Sequence, residues 1–553
     1  MILIEISAAI DAQGTERTFY VSDSVFRTGA ADTPAHTAFE DCLLDPGRIA
    51  LTAFGDGRTS GGTRLAYGEI RLANAGGELD DWLDYSFDGR TVRIYSGEGG
   101  VYPADFSPVL FGTADGLTVN RREVILRLRD RQLIFDRPVL TTLYAGDNSL
   151  PDGVEGTASD LKGRPKPRLF GRVFNISPPC VNTSRLVYQI SDGGIASVDG
   201  VFDRGQALTR GVERDDLAAI IANAPAAGTF DSCLSLGLVR LGSSPAGAVT
   251  VDATQGGDSS ARTAGSILTQ LAVLAGVAAA DISAADVAML DTLAPATLGV
   301  WLSGTETFAA VMDQVAGSVG AFYAFDALGV LRMGQLAIPY GSPVLELEED
   351  VIFEPFERRA VREGDIPAWR YSVRHSRVWT VQTSDLAGAV TEERKALVSL
   401  EYRTEQAADE SIKVQYLLAS EASADTLMTT SLEAATEAAR RLDLFGARAD
   451  LFDVSIPLSV LRETLTSEPL RLLDVVDLFH PRFGLAAGRS FRVIGINLEL
   501  GKSRAVLTLW SPKTPVYDAL TAYMLATYGR YFSETILADP LDLAVNVTYP
   551  AIV

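Results

Sequence analysis

Chemistry in this 553-residue chain is sought first among its three cysteines, three histidines and 71 Asp and Glu residues. His36, His375 and His480 are scattered, with no HExxH pair and no histidine beside a GxSxG serine. Histidine-based catalysis would require the fold to bring two of them together. Cys42, Cys180 and Cys233 are widely spaced and odd in number, which fits neither a disulfide framework nor a CxxC metal or redox motif.

The carboxylates offer pairs in sequence, such as Asp80 and Asp81 with Asp84, or Glu348 with Glu349. Glycoside cleavage needs two carboxylates about 5–10 Å apart, one with a raised pKa. In a chain this acidic such pairs are expected by number alone and read as solvated faces. DDWLDYSFDGR (80–90) holds four Asp without the spacing of a calcium loop. GDGRTSGGTR (55–64) lacks the Lys-Ser/Thr ending of a phosphate cradle and reads as a hairpin loop. Trp82, Trp301, Trp369, Trp379 and Trp510 each sit in an apolar pattern, so they are expected in cores or interfaces rather than as sugar platforms. Arg164 and Lys166, between Pro165 and Pro167, form the densest small basic spot, expected as a surface loop. The sequence therefore nominates no catalytic, cofactor-binding or metal-binding residue and no cofactor, and an enzyme is not expected.

The bulk composition narrows the partners. With 47% hydrophobic and 22% charged residues the chain is globular. Its 48 Lys and Arg against 71 acids give a formal charge of −23. Stable grip on a phosphate backbone or an anionic membrane face needs clustered cations, so neither is expected. The apolar stretch 263–280 contains Thr263, Ser266, Thr269 and Gln270, and its large residues Ile267, Leu268, Leu271 and Leu274 share one helical face. It reads as a core helix ending at Gly276 rather than a membrane span. MILIEISAAI has no basic n-region and reads as a first strand.

The elements that must position these residues follow from periodicity. Residues 1–150 carry short strands between Gly and Asp turns, including Ile2–Ile10, Arg17–Phe26, Arg48–Phe54, Gly68–Leu72, Thr91–Tyr95 and EVILRLRD at 123–130, with a helical turn at Leu79–Leu83. That rhythm predicts a small antiparallel barrel or sandwich. After a turn-rich connector at 151–165, a β-rich segment to residue 260 holds one helix at Arg214–Asn223. Residues 261–345 predict an α+β unit: a helix at 264–275 and a helix at Thr305–Val319 presenting Phe308, Val311, Met312, Val315 and Val319. Ser303 and Glu306 stand at capping-box spacing before it, and a hairpin turns at Asp326–Gly329. Residues 346–512 return to strands around a helix at Leu432–Phe445, with Ala435, Ala438, Ala439 and Leu442 expected to face inward. The tail 513–553 carries an expected helix at Val516–Thr527. The fold class is mostly β with an α+β insertion, in a multidomain chain.

Two hairpins look alike. FGTADGLTVNRREVILRLRD (Phe111–Asp130) and FRVIGINLELGKSRAVLTLW (Phe491–Trp510) each open on an aromatic strand, turn through polar residues and return on alternating apolar positions. Either any two hairpins share this much, or the chain contains two related β-barrels.

GEIRLANAGGELDDWLDYSFDGRTVRIYSG (68–97) followed by FGTADGL resembles the N-terminal domain of tail-tip, or baseplate hub, proteins of long-tailed bacteriophages. GRPKPRLFGRVFNISP (163–178), LVYQISDG (186–193), RLGSSPAGAVTVDATQG (240–256), IPAWRYSVRHSRVWTVQ (366–382), EAARRLDLFG (437–446) and RFGLAAGRSFRVIGI…AVLTLW (482–510) fit the same order. The resemblance spans roughly residues 45 to 512 and contains no catalytic signature. It implies a homotrimer in which each subunit supplies two barrels, at 1–150 and 346–512. The implied partners are a distal tail ring or tail tube, a tape-measure protein, and a central fibre or tip protein. DNA would pass only in transit, and the implied location is the virion tail tip, after assembly in the host cytoplasm. A receptor-binding or glycan-degrading tip protein, and a hexameric distal ring protein, are the alternatives.

Overall fold

A computed structural model describes residues 1–54, 61–62, 66–148, 152–359, 366–464 and 469–512. The chain is mostly β, multidomain, and built around several separate sheets. The expected helix at 516–527 lies outside the described residues, as does most of the 55–64 loop. Of that loop, Gly61–Gly62 runs parallel to Phe322–Tyr323.

The first sheet follows the order Phe26–Arg27, Ala38–Asp41, Glu16–Ser22, Ile2–Ala9, Thr91–Ser96, Ser107–Val119, Glu123–Arg129, Glu69–Ala73, Leu43–Asp45. Ala38–Asp41 and Leu43–Asp45 stand near opposite ends of this order, yet only Cys42 separates them in sequence. One extended segment thus pairs in parallel with Glu16–Ser22 through its first half and antiparallel with Glu69–Ala73 through its second. Because that one segment pairs near both ends of the order, the sheet curls round its core, leaving Phe26–Arg27 at an edge. Period-2 alternation fills the inside: Ile4, Ile6, Ile70, Leu72, Val92, Ile94, Leu110, Val124 and Leu126 are fully buried. Burial of each such side chain is worth about 1.5–3 kcal/mol. Leu3 and Tyr95 point the other way, into a small cluster with Phe39, Tyr102 and Phe106.

The second sheet uses the same device. Its order is Leu345–Leu347, Val475–His480, Leu485–Glu499, Arg504–Pro512, Ala449–Pro457, Phe353–Arg358. Leu345–Leu347 pairs in parallel with Val475–His480, and Phe353–Arg358 antiparallel with Ala449–Pro457. The two terminal strands are again neighbours in sequence, joined through a 3-10 turn at Glu349–Val351. In both units one long strand, of 13 residues at Ser107–Val119 and 15 at Leu485–Glu499, pairs with the preceding strand through its first half and the following strand through its second. In both, the register breaks just before a glycine, Gly116 or Gly495. The first unit differs chiefly by the added hairpin of Ile2–Ala9 and Glu16–Ser22.

The two sheets are stitched together. Arg48–Thr52, expected among the strands of the first block, pairs instead with Leu485–Glu499, from Thr52 opposite Gly495 to Arg48 opposite Glu499. Its Ile49 is buried against the first core, as is Leu500 of the second unit.

Between these two sheets in sequence come two five-stranded sheets built from residues 168–302 and the α+β unit. The α+β core draws on helices Ala264–Leu274, Ala284–Leu293 and Phe308–Val319 and on the hairpin Ala321–Phe325/Leu331–Gln335. Phe308, Val311, Met312, Val315 and Val319 are all buried as the spacing predicts. The N-cap is Thr307, whose side chain accepts from the Ala310 amide, and not the Ser303/Glu306 box. Ala284–Leu293 and Glu392–Val398 are helices the periodicity did not reveal. The three-stranded sheet of Ala368–His375, Arg403–Ala408 and Ser420–Asp425, with its helix Ser431–Phe445, shares this α+β core through Tyr371, Val373, Ala434 and Ala438.

That last helix corrects an expectation. Its buried face carries Ala434, Glu437, Ala438, Arg441 and Leu444, whereas Ala439 is exposed and Ala435 and Leu442 are half-buried. Ala438 faces inward and Leu442 packs against the core as expected, but Ala439 does not, because the inward stripe contains a charged pair, which hydrophobic periodicity counts as outside.

Candidate functional site

A cleft of about 770 Å³ lies where the first and second sheets meet the α+β unit. Val109 comes from the first barrel, Leu472 and Ile496 from the second, and Phe322 and Met289 from the α+β unit. Its rim is polar. Arg332 lies 2.9 Å from Asp326 and 3.4 Å from Asp286, and these carboxylates outweigh the burial that would lower its pKa. Arg492 donates to the Leu473 carbonyl at 2.8 Å and lies over the Tyr340 ring, with burial lowering its pKa. These groups are spent on internal partners, and the lining offers no nucleophile beside a base. The cleft is a packing junction, suited to binding apolar surface.

The residues nominated for chemistry do not converge. His36 is exposed. His375 is buried at the end of its strand, sharing a 2.9 Å hydrogen bond with the Ser376 hydroxyl and lying 3.7 Å from Glu405, and burial lowers its pKa. His480 packs its ring on Phe356, 4.6 Å between centroids. Cys42 sits between the strands Ala38–Asp41 and Leu43–Asp45, where burial pushes its thiol up to about 11. Cys233 is buried in the middle sheets and Cys180 is half-buried. No cluster of three metal-ligating side chains occurs among the described residues.

The paired acids Asp80, Asp81, Glu348 and Glu349 are exposed. Four tryptophans are buried and Trp379 is half-buried: Trp82 packs on Phe19 and Phe87, Trp301 donates to the Ile190 carbonyl and meets Trp379, and Trp510 joins Leu336 and Leu444. Trp369 is covered by Lys413 and Arg370. Lys166 pairs with Glu155 at 2.6 Å, while Arg164 is exposed.

Buried charge is instead used to hold elements together. Glu437 accepts from Arg440 and Arg441 at 2.6–2.7 Å. Burial raises its pKa, but the two guanidiniums more than offset this and hold the carboxyl below its ordinary range. The same arginines donate to the carbonyls of Gly317, Ser318 and Val319. Those are the orphan acceptors at the end of helix Phe308–Val319, closed by Gly320 in the left-handed region. Arg440 and Arg441, near the end of their own helix, thus serve another helix's terminus. Asp450 similarly accepts from Arg358 and Arg489 at 2.5 Å, and these arginines outweigh the effect of burial and lower its pKa. Asp252 and Arg394 form a buried pair at 2.6 Å. The E-x-x-R-R spacing at 437–441 was the available sequence signal for the first cluster; the others join residues far apart in sequence.

No described helix is long and apolar enough to cross a membrane. No protein-family model and no curated protein matches the chain. Among solved structures it is similar to the 43 kDa tail protein of prophage MuSo2 from Shewanella oneidensis, with 10% identity, TM-score 0.38, and coverage of 92% of this chain and 98% of that one. It is similar to a tail protein from Neisseria meningitidis MC58, with 9% identity, TM-score 0.40, and coverage of 92% and 96%. It is also similar to a chain in the virion of a native gene transfer agent particle, with 16% identity, TM-score 0.40, and coverage of 69% and 94%.

Proposed function

We propose that this chain is a structural protein of a phage-type tail, the hub that adapts a six-fold tail tube or distal ring to a three-fold tip. The observation that carries this reading is the repeated barrel: two sheets in one chain with the same strand succession, the same parallel-then-antiparallel closure and the same bulge before a glycine. A trimer can contact a hexamer evenly only if each subunit offers two equivalent faces. Here the second face is supplied by the second barrel. The partners on this reading are two further copies, the distal tail protein or tube, the tape-measure protein and a central fibre or tip protein, and the chain resides at the tail tip. An acidic chain of net charge −23 suits a channel that DNA traverses without being held.

Native mass spectrometry of the purified protein tests this directly. Three copies are expected, and six would favour a distal ring. A murein-hydrolysis assay is expected to be blank, and clear activity would overturn the assignment. In the assembled ring, a basic channel wall would contradict passage without retention.

A further inference from the structure

We infer that the backbone edge at Asp115–Val119 of the first sheet receives a strand from a second copy of this chain. Strand Ser107–Val119 pairs with Thr91–Ser96 only as far as Thr113. Beyond it, the hydrogen-bonding side alternates from residue to residue along the antiparallel ladder. The Asn120 amide donates to the Glu123 carbonyl at 2.9 Å, so Thr118 and Gly116 also face strand Glu123–Arg129. Leu117 and Val119 therefore present their amides and carbonyls to the other side, where the described residues supply no partner. An open edge of this kind is a template for another strand.

In the second sheet the same edge is filled. Gly495 and Gly116 follow equivalent register breaks, which puts Ile496 and Leu498 in the positions of Leu117 and Val119. There Arg48–Thr52 lies antiparallel, with Leu51 opposite Ile496 and Ile49 opposite Leu498. Ile496 is 6% exposed beside that strand, while Leu117 is half-buried. The docked strand also brings Asp45 to the tip of the second hairpin, where a Cβ on Gly501 would stand 3.5 Å from its carboxylate. Within one chain, then, the first unit gives a strand and an acid to the second. In a head-to-tail ring each second unit stands in the same relation to the first unit of the next copy. The charges fit that contact. At the tip of the first hairpin, Arg121 and Arg122 are exposed and have no carboxylate partner among the described residues. The joint between Leu345–Leu347 and Phe353–Arg358 exposes Glu348, Glu349 and Asp350, which have no cation partner among the described residues. The inference rests on the hub reading, in which copies of the chain form such a ring.

The test uses the full chain, with native mass giving the copy number. Hydrogen exchange over peptides spanning 115–120 is expected to be at least about tenfold slower in the assembled protein than in chains diluted to single copies. A photo-crosslinking residue in place of the exposed Thr118 is expected to join two copies. A crosslink closing within one chain would assign the edge to the chain itself and overturn the inference, as would open-rate exchange in the assembly. Arg121→Glu with Arg122→Glu should weaken the assembly, read as more single copies on dilution, and Glu348→Arg with Glu349→Arg in the same chain should restore it. Reversal without effect, or without rescue, counts against the contact. Three copies with an open edge would sink this inference and leave the hub reading standing. Six copies with a protected, cross-linked edge would do the reverse, and a chain that stays single would sink both.

Discussion

Replacing Glu437 by alanine strikes the point where three parts of the chain meet. The carboxylate is 5% exposed and receives three hydrogen bonds of 2.6–2.7 Å from Arg440 and Arg441. Breaking a buried pair by removing one partner costs about 3–5 kcal/mol, because the remaining charge is left uncompensated. Arg441 keeps the Gly317 and Ser318 carbonyls and the Tyr371 hydroxyl, and Arg440 is partly solvated, so the cost falls at the lower end, near 3 kcal/mol. In a multidomain chain a global melting curve is a poor gauge. Native-state hydrogen exchange of helix Ser431–Phe445 and the last turn of Phe308–Val319 reads the local effect, which at about 3 kcal/mol is roughly 150-fold faster exchange. The pH dependence supplies a second signature. The folded carboxyl is held below its ordinary value of 4.5, so its contribution is complete above that pH and is lost as pH falls through the folded value. The acid-induced loss of protection should be present in the parent and missing in the variant. Glu437→Met with Arg441→Met should be milder than Glu437→Ala, since the only charge then left without its carboxylate is that of the partly solvated Arg440. An acceleration under about fivefold, or a double variant worse than the single, would refute the reasoning.

Gly299→Ala should disrupt the middle sheets, because its Cβ would run into the Arg172 carbonyl on the neighbouring strand; loss of soluble yield or of cooperative melting is the readout. Ile49→Ala should cost about 2–4 kcal/mol and raise exchange in both barrels together, since this strand pairs with the second sheet while its side chain fills the first core. His375 is held neutral by burial, with its folded pKa below 6.5, so its contribution is complete above that value and lost as pH falls through the folded one. Exchange of strand Ala368–His375, corrected for intrinsic rates, should rise between about pH 7 and 5, and His375→Asn should abolish that rise. At physiological salt the purified protein should not shift duplex DNA on a gel, since its charge offers no cation cluster to release counterions.

Sequence alone determined what is local. Period-2 strands such as Glu123–Arg129, the apolar face of Phe308–Val319, and the hairpin turned by Asp326, whose carboxylate accepts from the Leu328 and Val330 amides, were all legible. So was the likeness of the two hairpins, because both repeat one pattern within 20 residues. Tertiary structure decided what depends on residues far apart. That Ala38–Asp45 pairs near both ends of the first sheet, that Arg48–Thr52 crosses to the second, and that Glu437 and Arg441 face inward rest on partners from distant strands or on carbonyls freed by another helix's end. Hydrophobic periodicity reports which face of an element avoids water. It is silent on which edge pairs with which, and it misreads a buried charge satisfied from elsewhere in the chain.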